Sequence, residues 1–391
     1  MRTIAVYGAF VFATFAFSPS AFSAMPEDPH QETDRLGTAS EIAVAQVAGP
    51  FEFPWSIAFL PDESLLVTER AGRLQLVDPV LGTGEIAGLP TVLYHDQAGL
   101  LDVAVDPGFA HNGTLYLSYV HGSPESSALR VLKARLDRQN LRLTEQRVIF
   151  ESTWATMTQL FGGRLAVTRD GHLFLTLGDR WERERAQDLS KHNGKIIRIR
   201  TDGSVPGDNP FVALPGARPE IWTYGHRNPQ GLALDERTGE LWSHEHGPLG
   251  GDELNLILPG RNYGWPVITH GLDYSGEPMG EGTAKAGMEQ PFHFWTPAIA
   301  PSGLAIASTG DLRVFWIGAL HGEALVMLQM EDGEIARNEQ LLQHDLGRIR
   351  DVRISPGGAL YFITDSSEGA LYRIESTIEQ AWKPGSRRHR L

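Results

Sequence analysis

The sequence predicts an all-β fold, a six-bladed β-propeller. Three observations carry it: abundant turn residues, a paired alternating run that recurs six times, and a third alternating run after each pair. The 391 residues hold 42 glycines and 24 prolines, the composition of a turn-rich chain. Length alone allows one large domain or two medium ones, since all-β rings of this size fold as single units.

The pair appears first as "PWSIAFLPDESLLVTER" from Pro54 and "GLLDVAVDPGFAHNGTLYLSYV" from Gly99, then as "GGRLAVTRDGHLFLTLGD" from Gly162. It returns as "PQGLALDERTGELWSHE" from Pro229, "PSGLAIASTGDLRVFWIGAL" from Pro301 and "IRDVRISPGGALYFITD" from Ile349. Period-two alternation marks half-buried strands, and the Arg169-Asp170-Gly171 and Pro356-Gly357-Gly358 breaks mark hairpin turns. Copies spaced by roughly 45–70 residues indicate a repeat architecture. The third runs are "GRLQLVD", "LRVLKARLD", "GKIIRIRTDG", "DELNLIL", "EALVMLQM" and "GALYRIES". Units of three or four strands cannot bury a face alone, but six arranged radially cover one another. The early run "EIAVAQVAG" (Glu41 to Gly49) supplies a strand to close the ring against the last blade. A pair of two-layer sandwiches is the competing architecture, and nothing in the sequence marks a boundary between two domains. The propeller is expected to span residues 41–376.

A formal net charge of −14 argues against a nucleic-acid partner, because phosphate binding draws on clustered Lys and Arg. Residues 1–24 place Arg2 before an apolar run from Ile4 to Phe17, then small residues ending Ala21-Phe22-Ser23. That run is shorter than the ~20 residues a membrane span needs, so it reads as a cleaved signal peptide without stable membrane insertion, with an uncleaved anchor as the alternative. Residues 25–40 are a polar leader and 377–391, ending "KPGSRRHRL", a basic tail. The absence of cysteine rules out disulfides, and export without them fits a periplasmic location.

Long insertions fall between Thr153 and Gly162, Trp181 and Asn193, and Gly247 and Gly282. In a propeller such loops gather at one end of the central channel, where a site is expected.

Five motifs, "QAGLLDVAVDPGF", "FGGRLAV", "YGHRNPQGLAL", "EHGPLGGDELNLILPGRNYGW" and "GRIRDVR", occur in an order that resembles the quinoprotein sugar dehydrogenases. These are the soluble glucose dehydrogenases and, more closely, the aldose sugar dehydrogenases that use pyrroloquinoline quinone (PQQ). The resemblance runs from Pro54 to about Ile374. It implies an enzyme that oxidises a small-molecule sugar with PQQ and Ca2+. It also implies roles for particular residues. Arg227 and Asn228 lie beside the reactive quinone carbonyl, Arg348 and Arg350 hold the cofactor's carboxylates, and Gln97 lines the same site. Arginine suits that task because its planar fork pairs bidentately with carboxylate. The backbone carbonyls of Gly247 and Pro248 hold the calcium on the quinone. A second calcium sits at Glu253 and Tyr263, with Asp252 and Asp273 nearby, oxygen ligands of the kind calcium needs. His244 and His246 raise a zinc alternative, but their spacing is not that of a helical zinc pair and no cysteine joins them.

Two departures from the family pattern fall at the site. Where the family carries its general base, a histidine just before the aromatic-Gly-Gly-Arg run, this chain has Leu160; where it carries a cofactor-binding lysine, this chain has His321. A positioned base contributes roughly 10²–10⁴ in rate. Three readings compete: a dehydrogenase with a displaced base, at His321, His95 or Asp96; a propeller that binds PQQ, calcium or sugar without oxidation; and a calcium-dependent lactone hydrolase. The family's sugar-stacking aromatics precede an "APS" run, and here "FHFWTPAIAPSG" is shifted, leaving Phe294, Trp295 and Thr296 unmatched. The electron acceptor and a homodimeric state stay open.

Overall fold

The structure, a computed structural model, describes residues 42–375; the expected signal peptide, leader and tail lie outside the described residues. Six four-stranded antiparallel sheets form the blades of a propeller. From inner to outer strand, blades 1 to 3 run from Pro54–Phe59 to Gly82–Glu85, Leu100–Val105 to Arg142–Glu151, and Gly162–Val167 to Ile221–Tyr224. Blade 4 runs from Pro229–Asp235 to His293–Trp295 and blade 5 from Pro301–Thr309 to Glu334–Leu341. Blade 6 takes three strands from the end of the fold, Ile349–Ile354, Leu360–Thr364 and Gly369–Ile374. Its outer strand is Val44–Phe51, paired antiparallel with Gly369–Ile374, so the closing strand is the one expected. The six repeated pairs and the six third runs all form strands.

The burial of the strands departs from the half-buried expectation. Leu65–Glu69 and Leu312–Ala319 are buried at every residue, because each blade lies face to face between two neighbours and its middle strands are covered on both sides. Only outer strands such as Glu334–Leu341 present mostly exposed residues. Six apolar clusters fill the blade interfaces. The seam between blades 6 and 1, for example, joins Ile363 and Leu371 to Ile57, Leu65 and Val67.

Every inner strand breaks register near its start: between Pro54 and Ser56, Leu100 and Val103, Gly162 and Leu165, Pro229 and Gly231, Pro301 and Leu304, and Ile349 and Asp351. Such bulges re-aim side chains. Here they coincide with the residues that meet at the ring's axis.

There, Arg164 of blade 3 is fully buried and reaches most of the other blades. Its Nη1 lies 3.1 Å from Asp351 and 3.4 Å from Asp102, and its Nε donates to the Gln230 carbonyl at 2.9 Å. The guanidinium stacks 4.1 Å above the Trp55 ring. Asp102 also accepts from Leu165 N at 2.7 Å, and Asp351 from Ile57 N at 2.9 Å. The channel is thus plugged by a paired ionic network, and the open site must lie at one end of it.

Candidate active site at the channel mouth

Two kinds of loop open at the same end of antiparallel blades: those that enter each inner strand and those that join second to third strands. Gln97, Leu160, Arg227, Asn228 and Arg348 lie on the first kind, and Trp181, Gly247, Pro248, His321 and Asp365 on the second. One long insertion of blade 4, residues 258–292, starts from the far end and returns to this mouth. Leu272 there pairs with Leu249, with both N–H groups donating at 3.0 Å. A cavity of about 610 Å³ lies at the opposite end between Pro61, Phe109, Arg135 and Arg138. It holds none of these residues.

Arg227 is the centre of the mouth. Glu245 Oε2 accepts from its backbone N–H at 2.5 Å and Glu245 Oε1 sits 2.7 Å from the ring of His226, so the strand end of blade 4 fixes the turn carrying both. The guanidinium donates to the carbonyls of Gly247 at 2.6 Å and His246 at 3.2 Å, and to Tyr274 Oη at 3.0 Å. Trp265, Trp181 and Tyr274 surround it at 5.4, 5.6 and 6.0 Å. Asn228 Oδ1 accepts from Gly162 N at 3.2 Å. Gln97 Oε1 accepts from Leu160 N at 2.9 Å. These four positions therefore share one wall.

Leu160 is buried and left-handed, at φ +53°. Its carbonyl packs onto Gly178, where an added Cβ would stand 2.0 Å from that oxygen; only glycine allows the approach. Arg180 and Trp181 are also left-handed, at φ +59° and +61°, a cost of ~1–3 kcal/mol each. Exposed cation–π contact with Arg227 returns about 0.5–1 kcal/mol, less than the strain. Arg180 is buried over the Phe161 ring at 3.8 Å, donates to Ser127 Oγ at 2.9 Å and to the Met157 carbonyl, and burial lowers its pKa to about 10. Asp179 binds this turn from below. Its Oδ1 accepts from Trp181 N at 2.9 Å and its Oδ2 from Trp265 Nε1 at 2.8 Å. Burial raises its pKa to about 6, against the opposing pull of Arg227.

Arg348 and Arg350 converge on Asp365 Oδ2 at 2.9 and 2.8 Å. Burial opposes ionisation of Asp365, yet Arg350 and Arg348 together hold it below the usual carboxylate range. The two guanidiniums already clasp a carboxylate, and Arg350 Nε is buried without an acceptor. His321 is exposed on its turn, its backbone N–H bonded to Ile299 O at 3.0 Å. The adjacent Leu320 carbonyl receives Arg348 Nη1 at 3.5 Å.

The expected metal ligands divide. Gly247 and Pro248 lie beside Arg227, whose guanidinium now uses the Gly247 carbonyl. Glu253 pairs in register with Glu245 across two strands, and burial, then Glu245, pushes its pKa up to about 8. A carboxyl so placed gains from a cation. The Tyr263 hydroxyl is already saturated, donating to Leu256 O at 2.6 Å and accepting from Leu258 N at 2.9 Å. Asp252 is a backbone clamp rather than a free ligand, accepting from Gly247, Ile299 and Ala300 N–H groups at 2.9, 2.8 and 2.7 Å. Asp273 sits on an exposed turn with Ser275. Among the described residues no three His, Asp, Glu or Cys side chains group as a metal site. His244 and His246 turn Nε2 toward the carbonyls of Gly303 and Pro301 at 3.2 and 2.7 Å, and Nδ1 of His244 is buried without a partner.

Sequence reasoning missed Arg164, Asp102, Trp181 and Tyr274. Of the unmatched aromatics, Phe294 stacks on His270 at 4.0 Å and Trp295 is buried in the blade 4–5 core.

The fold is a six-bladed propeller in which Arg227, Arg348 and Arg350 open at one end of the channel. Residues 51–373 match the family described as Glucose / Sorbosone dehydrogenase, and the chain belongs to it. The chain is 39% identical to aldose sugar dehydrogenase YliI of Escherichia coli strain K12, over 83% of this chain and 90% of that protein. Among solved structures, one described as glucose dehydrogenase is 42% identical with a TM-score of 0.82, covering 86% of this chain and all of that one. The PQQ-bound aldose sugar dehydrogenase of Streptomyces coelicolor is 28% identical with a TM-score of 0.72, covering 85% and 98%.

Proposed function

We propose that the protein is an oxidoreductase acting on the CH–OH group of sugars, dependent on PQQ and Ca2+, which oxidises aldoses at C1 to the lactone. The observation that carries this reading is the arginine pair on Asp365 with Arg227 at the same mouth. Burial lowers the pKa of His246 against the opposing pull of Asp252 and the Pro301 carbonyl, with smaller contributions from Arg227 and Arg350 in the same direction as burial.

Arg348 and Arg350, now paired with Asp365, would hold the carboxylates of PQQ, and Gln97 and Asn228 would line its ring. The carbonyls of Gly247 and Pro248 would hold one calcium, and the positions of Glu253 and Tyr263 a second. Bound there, the pair supplies a quinone carbonyl polarised by calcium, the acceptor for the hydride that leaves sugar C1. Arg227 keeps a fixed cation at the point where negative charge develops, which lowers the barrier without reorganisation. Leu160 cannot take the hydroxyl proton, so His321, exposed beside the Arg348 contact, is assigned that proton.

The missing histidine favours a second reading, a propeller that binds PQQ or sugar without oxidising it. Titrating the calcium-loaded protein with PQQ by absorbance, then adding an aldose, separates the two. Binding followed by bleaching supports the enzyme; binding without bleaching supports the second reading, and no binding removes both.

No helix among the described residues is long and apolar enough to cross a membrane. We place the mature protein in the periplasm, on its N-terminal export pattern.

A further inference from the structure

Among the described residues Tyr94, Trp154, Trp181, Tyr274 and Phe294 are exposed aromatics, and of these Trp181 and Tyr274, 43% and 60% exposed at the mouth, pair with each other. They come from insertions of different blades and meet with ring centroids 5.9 Å apart and planes tilted by 48°. Both are positioned from behind. Tyr274 Oη receives Arg227 Nη2 at 3.0 Å, and Trp181 Nε1 donates to Gln159 Oε1 at 2.8 Å. The indole is presented by two successive left-handed residues clamped by Asp179. Strained backbone that displays an apolar face to water, instead of burying it, is a mark of ligand contact.

The surroundings select the ligand. Two tilted aromatic faces with an amide at one edge and a guanidinium behind suit a ring that is apolar on its faces and hydroxylated around its rim. A pyranose has that shape, with axial C–H groups on the face and hydroxyls at the edge. The groups that match a tricarboxylate lie elsewhere, at Arg348 and Arg350.

We propose that Trp181 and Tyr274 form the docking face for the pyranose ring of the substrate, with Gln159 at its hydroxylated edge, and so set sugar specificity. This rests on the sugar dehydrogenase reading above. The pair positions the sugar beside Arg227; it does not take part in proton or hydride transfer.

The test compares Trp181→Ala and Trp181→Phe with wild type in three measurements: PQQ titration by absorbance, steady-state kinetics on glucose, and calorimetric titration of the calcium-loaded protein with glucose. Trp181→Ala is expected to raise KM at least tenfold and to lower kcat much less, with unchanged PQQ affinity, and Trp181→Phe to recover most of the loss. An unchanged KM in Trp181→Ala overturns the proposal, and so does a tenfold loss of PQQ affinity, which would assign the ring to the cofactor. If wild type neither binds PQQ nor oxidises glucose, the enzyme reading fails alone. Calorimetry then decides the docking face: glucose binding lost in Trp181→Ala upholds it, and binding equal to wild type, or absent from wild type, overturns it.

Discussion

Arg164 and Asp351, from blades 3 and 6, lie 3.1 Å apart on the propeller axis with no exposure to water. Removing one member of a buried ionic group strands the others, a loss of roughly 3–5 kcal/mol. Arg164→Met is therefore expected to lower folding stability by that amount, with Arg353 at 3.4 Å left as the cation that Asp102 and Asp351 share. Chemical denaturation measures it. An unchanged midpoint would mean the network contributes specificity and no net stability.

Leu160→His restores a proton acceptor at the wall shared by Gln97 and Asn228. If the protein binds PQQ without oxidising sugar for want of a base, this variant should raise sugar oxidation by about 10²–10⁴-fold, whereas with His321 already taking the proton little gain is expected. No gain in a variant that still binds PQQ would show that a missing base does not limit the rate.

His321→Ala tests the proton's assigned destination. Turnover should fall by about 10²-fold or more while the thermal midpoint stays that of wild type, since the side chain is exposed. Unaltered kcat would remove His321 from the reaction.

Arg348→Gln deletes a charge-assisted partner for a cofactor carboxylate, a loss of about 1.5–3 kcal/mol, or roughly ten- to a hundredfold in PQQ affinity. Absorbance titration reads it directly. Equal affinity would move the carboxylate site elsewhere.

Asp179 gives a pH signature. Its folded pKa of about 6 exceeds the unfolded value near 3.9, so the folded state holds the proton more tightly. That contribution is fully present below about pH 4 and is lost as pH rises through 6, a change of roughly 3 kcal/mol. Asp179→Asn carries no such dependence. The variant should gain on wild type between pH 4 and 7 in denaturation experiments, and a constant difference would refute the perturbed carboxyl.

The blades were legible because each repeats a turn between alternating runs, a local signal. The outer strands Gly82–Glu85 and His293–Trp295 carried none, since pairing with a neighbour defines them. The inner-strand bulges were hidden for the same reason: register belongs to two strands at once. At the site, Arg227 and Arg348 stood in recognisable motifs, whereas Trp181 and Tyr274 are single aromatics in polar insertions without periodicity. Asp252 looked like a ligand because a carboxylate that clamps three backbone N–H groups reads in sequence like one that binds calcium.

The pairing of Val44–Phe51 with Gly369–Ile374 makes the circle a zip whose two halves come from opposite ends of the chain. During synthesis the first strand must wait, unmatched, until every blade has been made. A chain shortened by that strand is an open horseshoe, and a separate peptide of the same sequence should snap it shut, which makes this seam the natural place to split and rejoin the protein.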